Sequence, residues 1–131
     1  MTPSHLATAL RAHAQGLYCL EAAAELLIAQ SWLHRADFSG KFLHIRPGLL
    51  DGQAFAIVDW AAAITALDAG DLPCSGGEQR MLRLTASIGD GIPVDLQDSL
   101  TGIDEHNTHL LLRAVLHASG QRPPHPGFLI I

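Results

Sequence analysis

The segment Leu17–Ile28 constrains the fold of this chain more strongly than any other stretch of its sequence. Read as a helix, it is apolar over most of its circumference, and only Glu21 and Glu25 interrupt it. It is too short and too charged to span a bilayer, which takes about 20 apolar residues. Because a helix that is apolar nearly all round is stable only when other elements cover it, the segment predicts a central buried helix.

Periodicity predicts further secondary structure on both sides of this helix. Residues 4–34 fit one long helix or two end-to-end helices, with Gly16 as the break between the halves. Residues 42–46 and 54–58 are short and largely apolar, and turn dipeptides containing glycine lie between them. This region predicts one short antiparallel β-hairpin.

Capping residues mark the next two helices. Asp59 is placed to cap a helix that ends at Gly70. Ser75 and Glu78 have the spacing of a capping box, in which each residue binds the backbone amide of the other. The helix that follows this box is predicted to end at Gly89.

The last predicted helix begins after Asp104 and runs through Ala118. Its apolar stripe is predicted to consist of Leu111, Val115 and Ala118. Residues 93–96, which precede it, are predicted to form a short extended piece.

Together these elements define the expected fold. The 131 residues fit one domain, and a hydrophobic content of 48% is enough for a core without metals or several disulfides. We therefore predict a mainly α fold, a compact bundle of about four to five helices with one short β-hairpin. Residues 1–131 are expected to form a single helical domain whose end, about 121–131, is an extended C-terminal arm.

Charge and cysteine content narrow the function classes. The formal net charge is −5 and the eight Lys and Arg residues are scattered, whereas nucleic-acid binding takes concentrated positive charge. Cys19 and Cys74 have no metal-binding or redox spacing, so we expect reduced thiols. The N-terminal residues lack the pattern of a secretion signal. We expect a cytoplasmic protein that has no membrane partner, and the scattered positive charge argues against nucleic acid as a partner.

One string resembles a catalytic motif, the stretch of ABC-type ATPases from the signature motif to the loop after the Walker B strand. Its residues are Ser75-Gly76-Gly77-Glu78-Gln79-Arg80, followed by Pro93, Asp98, Thr101 and Asp104. No phosphate-binding loop accompanies it, because Gly40-Lys41 is followed by Phe42, and Ser99 stands where the catalytic Glu belongs. The resemblance is therefore misleading, and we expect no binding or hydrolysis of ATP.

Three short motifs follow one another in the second half of the chain: Leu72–Glu78, Pro93–Leu96, and Gly102-Ile103-Asp104 with Asn107. In this order they resemble a group of small actinobacterial proteins of unknown function. The resemblance implies a lineage, and it implies no activity or cofactor.

Histidines near the start of the last helix form a candidate metal site. His106 and His109, beside Asp104 and Glu105, place two imidazoles and a carboxylate on one helical turn, with His117 as a more distant third ligand. A polar helix N-terminus explains the same residues. The sequence predicts no cofactor.

The helix start at Ser75, Gly76 and Gly77 is a candidate anion-binding site, because free amides and the helix dipole favour an anion there. A plain N-cap explains the same residues. Arg80 and Arg83, just beyond, are candidate phosphate contacts if the protein binds nucleic acid.

The sequence ends in Phe128-Leu129-Ile130-Ile131, four large apolar residues at a position that is normally polar. We expect them to be buried against the domain or a second copy, as candidate interaction residues. The leading hypothesis is a non-catalytic cytoplasmic protein-interaction or regulatory module that forms a homo-oligomer or binds an unknown protein. The alternatives are a nucleic-acid-associated regulator, and an anion-binding domain or enzyme that uses the Ser75 helix start. No feature positively supports enzyme activity.

Overall fold

A computed structural model describes residues 1–48 and 52–121, and over these residues the fold is mainly α with one short hairpin, as predicted. The helices are α1 (Pro3–Ala14), α2 (Tyr18–Ala29), α3 (Ala36–Phe42), α4 (Trp60–Asp68), α5 (Gly76–Asp90), α6 (Leu96–Leu100) and α7 (Glu105–Ala118). A 3-10 turn covers Ser31–His34, and the strands are β1 (Leu43–Arg46) and β2 (Phe55–Val58). None of the helices in these described ranges is both long and apolar enough to cross a bilayer.

The N-terminal segment forms two helices, which decides between the two alternatives that its periodicity allowed. The Thr2 hydroxyl accepts a hydrogen bond from the His5 amide and caps α1, and Pro3 occupies its first turn. Gly16 adopts a φ of 88°, which favours glycine, and the chain reverses there before α2 begins at Tyr18. The predicted break at Gly16 is confirmed.

The predicted hairpin is also confirmed, with strands one residue shorter at their starts. β1 and β2 are antiparallel, with Leu43 opposite Val58 and Arg46 opposite Phe55. Residues 49–51 at its tip lie outside the described residues.

The end of α5 differs from the prediction. Gly89 was expected to end the helix, but α5 continues to Asp90, and Gly91 at a φ of 67° is its C-cap. A methyl group on Gly89 would lie 2.8 Å from the Ala23 Cβ and 3.2 Å from the Trp60 ring. The close packing of α2 and α4 against Gly89 therefore leaves no room for a larger side chain at this position.

Residues 93–96 are not all extended as predicted, because Leu96 begins the short helix α6. The Asp95 carboxylate accepts a hydrogen bond from the Asp98 amide at 3.1 Å and caps this helix. The prediction treated Asp95 as part of a strand-like piece, although aspartate is among the preferred N-cap residues.

Among residues 1–48 and 52–121, two apolar clusters form the core, and α2 contributes to both. The larger lies among α1 to α5 and the hairpin, with Leu27, Trp32 and Phe38 fully buried. The second lies between α2, α5 and α7 and includes Leu26 and Met81. The prediction of a central buried helix is confirmed from Ala22 onward, whereas Leu17 and Tyr18 at its start are more than half exposed.

Candidate functional site

Helix α7 is a peripheral helix that lies antiparallel to α2. The Asp104 carboxylate caps its start by accepting a hydrogen bond from the Asn107 amide at 2.7 Å, as predicted. At its other end, the His117 and Tyr18 rings meet edge to face with centroids 5.9 Å apart. The Cys19 thiol lies 3.8 Å from the Ala118 carbonyl oxygen. The start of α2 therefore holds the end of α7.

The buried side of α7 differs from the predicted stripe. Leu111 and Ala114 are buried against α2 and α5, and Leu110 and Ala118 pack beside them. Val115, which was predicted to face the core with Leu111, is 51% exposed. Because apolar residues occur on several sides of α7, periodicity alone does not determine which of them face the core.

The opposite side of α7 carries exposed apolar side chains. Leu112 is 45% exposed, Val115 is 51% exposed, and Leu116 is partly buried. Their spacing of three and four residues makes them neighbours on one helix surface. We call this surface the outer α7 face. A soluble helix normally carries polar residues there.

Beside the outer α7 face, a groove of about 250 Å³ runs between α2 and α7. We call it the α2–α7 groove. Its lining combines apolar side chains of both helices with a few polar ones at the margin, namely Ala22, Glu25, Leu26, Ala29, Leu110, Arg113, Ala114, Leu116, His117 and Gln121. The groove is therefore lined by both apolar and polar side chains.

Polar contacts connect the residues around the groove to the neighbouring helices. His117 Nε2 lies 2.9 Å from Glu21 Oε1, and the Gly16 amide donates to the same carboxylate at 3.1 Å. The bond to His117, with a smaller contribution from Gly16, holds the pKa of Glu21 below its ordinary value. Arg11 donates two hydrogen bonds to Glu25, at 2.8 and 3.0 Å. These pairs tie α7 to α2 and α2 to α1.

The Ser75 helix start forms the predicted capping box. The Ser75 hydroxyl accepts from the Glu78 amide, and the Glu78 carboxylate accepts from the Ser75 amide, both at 3.1 Å. A carboxylate thus already lies at the positive end of α5, where a bound anion would compete with it. The Arg80 guanidinium lies beside Gly76 and Gly102. A methyl group added to either glycine would be 3.3 or 3.4 Å, respectively, from the Arg80 Nη1 atom.

The surroundings of this helix start are mixed in charge. Arg83 donates a hydrogen bond to Asp68 at 2.6 Å. One of the two arginines proposed to contact phosphates therefore already pairs with a carboxylate. Burial raises the pKa of the Cys74 thiol, and Glu78 raises it further, so this cysteine is a poor nucleophile at neutral pH. Nucleic-acid binding takes concentrated positive charge, and Asp68 partly neutralises the charge of Arg83 here.

The candidate metal residues lie toward opposite ends of α7. His106 and His109 are exposed on the first turn of α7. His117, the proposed third ligand, pairs with Glu21. In the part of the chain that the structure describes, no group of three or more His, Cys, Asp or Glu side chains is arranged to hold a metal ion.

The predicted interaction residues Phe128, Leu129, Ile130 and Ile131 lie outside the described residues, which end at Gln121. Sequence reasoning did not identify the outer α7 face or the α2–α7 groove. The sequence did contain one indication of the outer α7 face. Leu110-Leu111-Leu112, together with Val115 and Leu116, cover more of the helix circumference than a single buried stripe does. The groove has no such signal, because two helices distant in sequence form it.

Comparison with protein-family models, curated proteins and solved structures finds no match for this chain.

Proposed function

We propose that this chain is a non-catalytic interaction module that forms a homodimer through the outer α7 face. The observation that carries the proposal is the half-exposed pair Leu112 and Val115, with Leu116 beside them, on a helix whose other side is already packed. Clustered apolar side chains on a soluble helix are typical of protein interfaces. Two copies of this face bury each other's apolar side chains about a two-fold axis.

The charge of α7 supports a second copy as the occupant. The chain carries a formal net charge of −5, so that two copies repel each other over most of their surface. Helix α7 contains one glutamate, Glu105, and one arginine, Arg113, and is formally neutral. Its outer face therefore brings two copies together with little electrostatic cost.

The two free thiols, Cys19 and Cys74, support a reducing compartment, and we place this function in the cytoplasm. The motif order that resembles small actinobacterial proteins assigns no activity and leaves this proposal unchanged.

Sedimentation velocity over a range of concentrations tests the proposal with a matched pair of variants. Leu112→Asp places a charge on the outer α7 face, and Leu96→Asp makes the same change at a leucine of α6 that is 54% exposed. We expect the parent and Leu96→Asp to dimerise with concentration and Leu112→Asp to stay monomeric. A parent that is monomeric throughout, or equal dissociation by both variants, contradicts the proposal.

A second candidate, anion binding at Ser75, Gly76 and Gly77, is favoured by one observation, the Arg80 guanidinium beside Gly76 and Gly102. Isothermal titration with inorganic phosphate tests it. Saturable binding that Arg80→Gln abolishes, and that Glu78→Gln strengthens by removing the competing carboxylate, supports this candidate. Absence of heat in the parent and in Glu78→Gln removes it.

A further inference from the structure

We infer that the α2–α7 groove binds the chain's own C-terminal arm, residues 122–131, with the apolar side chains of 128–131 against its floor. This inference does not rest on the proposed dimer, and Leu116 is the residue of the outer α7 face that also lines the groove. Four observations carry it: the lining of the groove, its size, the path of the chain at Gln121, and the length of the arm.

The floor of the groove is apolar where a surface helix is normally polar. Ala29, at the end of α2, is exposed, and the side chains of Leu26 and Ala114 lie deeper. The volume of about 250 Å³ is below the range of about 300–1,000 Å³ that is usual for small-molecule sites. An open apolar groove of this size is suited to a few side chains of an extended peptide.

The chain enters the groove at its last described residue. Gly120 has a φ of 80°, and the Gln121 amide donates to the Leu116 carbonyl oxygen at 3.0 Å. This left-handed glycine ends α7 and turns the backbone away from the helix axis. Gln121 itself lines the groove. The residues that follow therefore begin beside the surface that they are proposed to cover.

The length and composition of the arm match the groove. The distance along α7 from Ala118 back to Leu110 is about 12 Å at 1.5 Å per residue. Ten residues in an extended proline-rich conformation reach about 31 Å, so the arm can reverse direction and still lie along the groove. Pro123, Pro124 and Pro126 make the sequence of this segment unfavourable for a helix.

Attachment to the same chain favours this arm over the arm of a second copy. A short tether gives an effective concentration on the order of millimolar, which exceeds the concentration of free protein in most settings. Arg113 at the groove margin offers guanidinium donors to the backbone carbonyls of an extended arm, which form no internal hydrogen bonds. We therefore assign the groove to the arm in cis.

Crosslinking tests both the occupancy and its connectivity. In a Cys19→Ser, Cys74→Ala background, Ala29→Cys and Ile130→Cys are joined with a short bismaleimide, and the products are separated under denaturing conditions. Ala61→Cys, at an exposed alanine of α4, replaces Ala29→Cys in the control. We expect an intrachain crosslink with Ala29→Cys at dilute protein and none with the control. An interchain product overturns the assignment in cis, and equal crosslinking with the control overturns docking in the groove.

A thermal double-mutant cycle provides a second measurement that does not depend on crosslinking geometry. Ala29→Glu places a charge in the groove, and a truncated chain lacks 128–131. We expect Ala29→Glu to lower Tm by about 3–6 °C in the full chain and by less than about 1 °C in the truncated chain. Equal shifts in both backgrounds overturn the inference. Because a monomer also shows this coupling, failure of the proposed dimer leaves the result interpretable.

Discussion

Helices α5 and α7 have nearly the same length, at 15 and 14 residues, and both begin with a side-chain cap, yet they differ in how much of their apolar surface this chain covers. On α5, Met81, Leu82 and Leu84 are at most 3% exposed. On α7, Leu112 and Val115 remain about half exposed. The described part of the chain buries these apolar residues of α5, whereas it buries the apolar residues on only one side of α7. The exposed apolar residues on the other side of α7 are the basis of the proposed dimer interface.

The strongest test of this difference compares one leucine from each helix. Leu82→Ala removes a fully buried side chain, and we expect a loss of about 2–5 kcal/mol in the free energy of unfolding. Leu112→Ala is expected to cost less than about 1 kcal/mol when the protein is dilute and monomeric. Urea denaturation measures both. Similar losses for the two variants would show that α7 is as fully packed as α5.

A pair of glycines tests how tightly α5 is packed. Gly89→Ala brings a methyl group to 2.8 Å from the Ala23 Cβ, and we expect a loss of about 1–3 kcal/mol. Gly40→Ala, in α3, has open space around it and is expected to gain about 0.5–1 kcal/mol from the higher helix propensity of alanine. Thermal unfolding distinguishes the signs. A neutral Gly89→Ala would mean that α5 has room against α2.

The caps are expected to contribute equally to the two helices. Ser75→Ala and Asp104→Ala each remove a side chain that accepts a hydrogen bond from a backbone amide, and each should cost about 1 kcal/mol. Ser75→Asp should be tolerated, because aspartate also caps helices. Denaturant midpoints provide the measurement. Equal damage from Ser75→Asp and Ser75→Ala would remove the assignment of Ser75 as a cap.

The smallest expected effect concerns the attachment of α7 to α2. The folded-state pKa of Glu21 is lowered, so its ionised form contributes stability that is present above the ordinary glutamate pKa and is lost as pH falls through the lowered value. Since this pair is partly exposed, the contribution is small. Urea midpoints at pH 7 and pH 3 should converge for the parent and Glu21→Gln as the pH falls. A constant difference between them would contradict the pairing.

Local features of the fold could be predicted from sequence, and long-range ones could not. The capping box at Ser75 and the break at Gly16 depend on residues within a few positions of each other, so their spacing indicates the structure. The role of Gly89 depends on Ala23 and Trp60, which are distant in sequence. The exposure of Val115 depends on how α7 is rotated against α2. Because apolar residues occur on several sides of α7, the sequence is compatible with more than one such rotation.

The site was less predictable than the fold for the same reason. The run Leu110-Leu111-Leu112 shows that α7 is unusually apolar, but only the structure shows which of its residues the rest of the chain leaves uncovered. The α2–α7 groove requires the relative positions of two helices.

Thiol labelling of the outer α7 face tests the central claim most directly. In the Cys19→Ser, Cys74→Ala background, the labelling rate of Val115→Cys is followed as protein concentration rises, with Ala61→Cys on α4 as the control. We expect Val115→Cys to become protected over the concentration range in which sedimentation shows dimer formation, while Ala61→Cys stays reactive. A rate at Val115→Cys that stays constant while dimers form would show that another surface mediates association and would contradict the account.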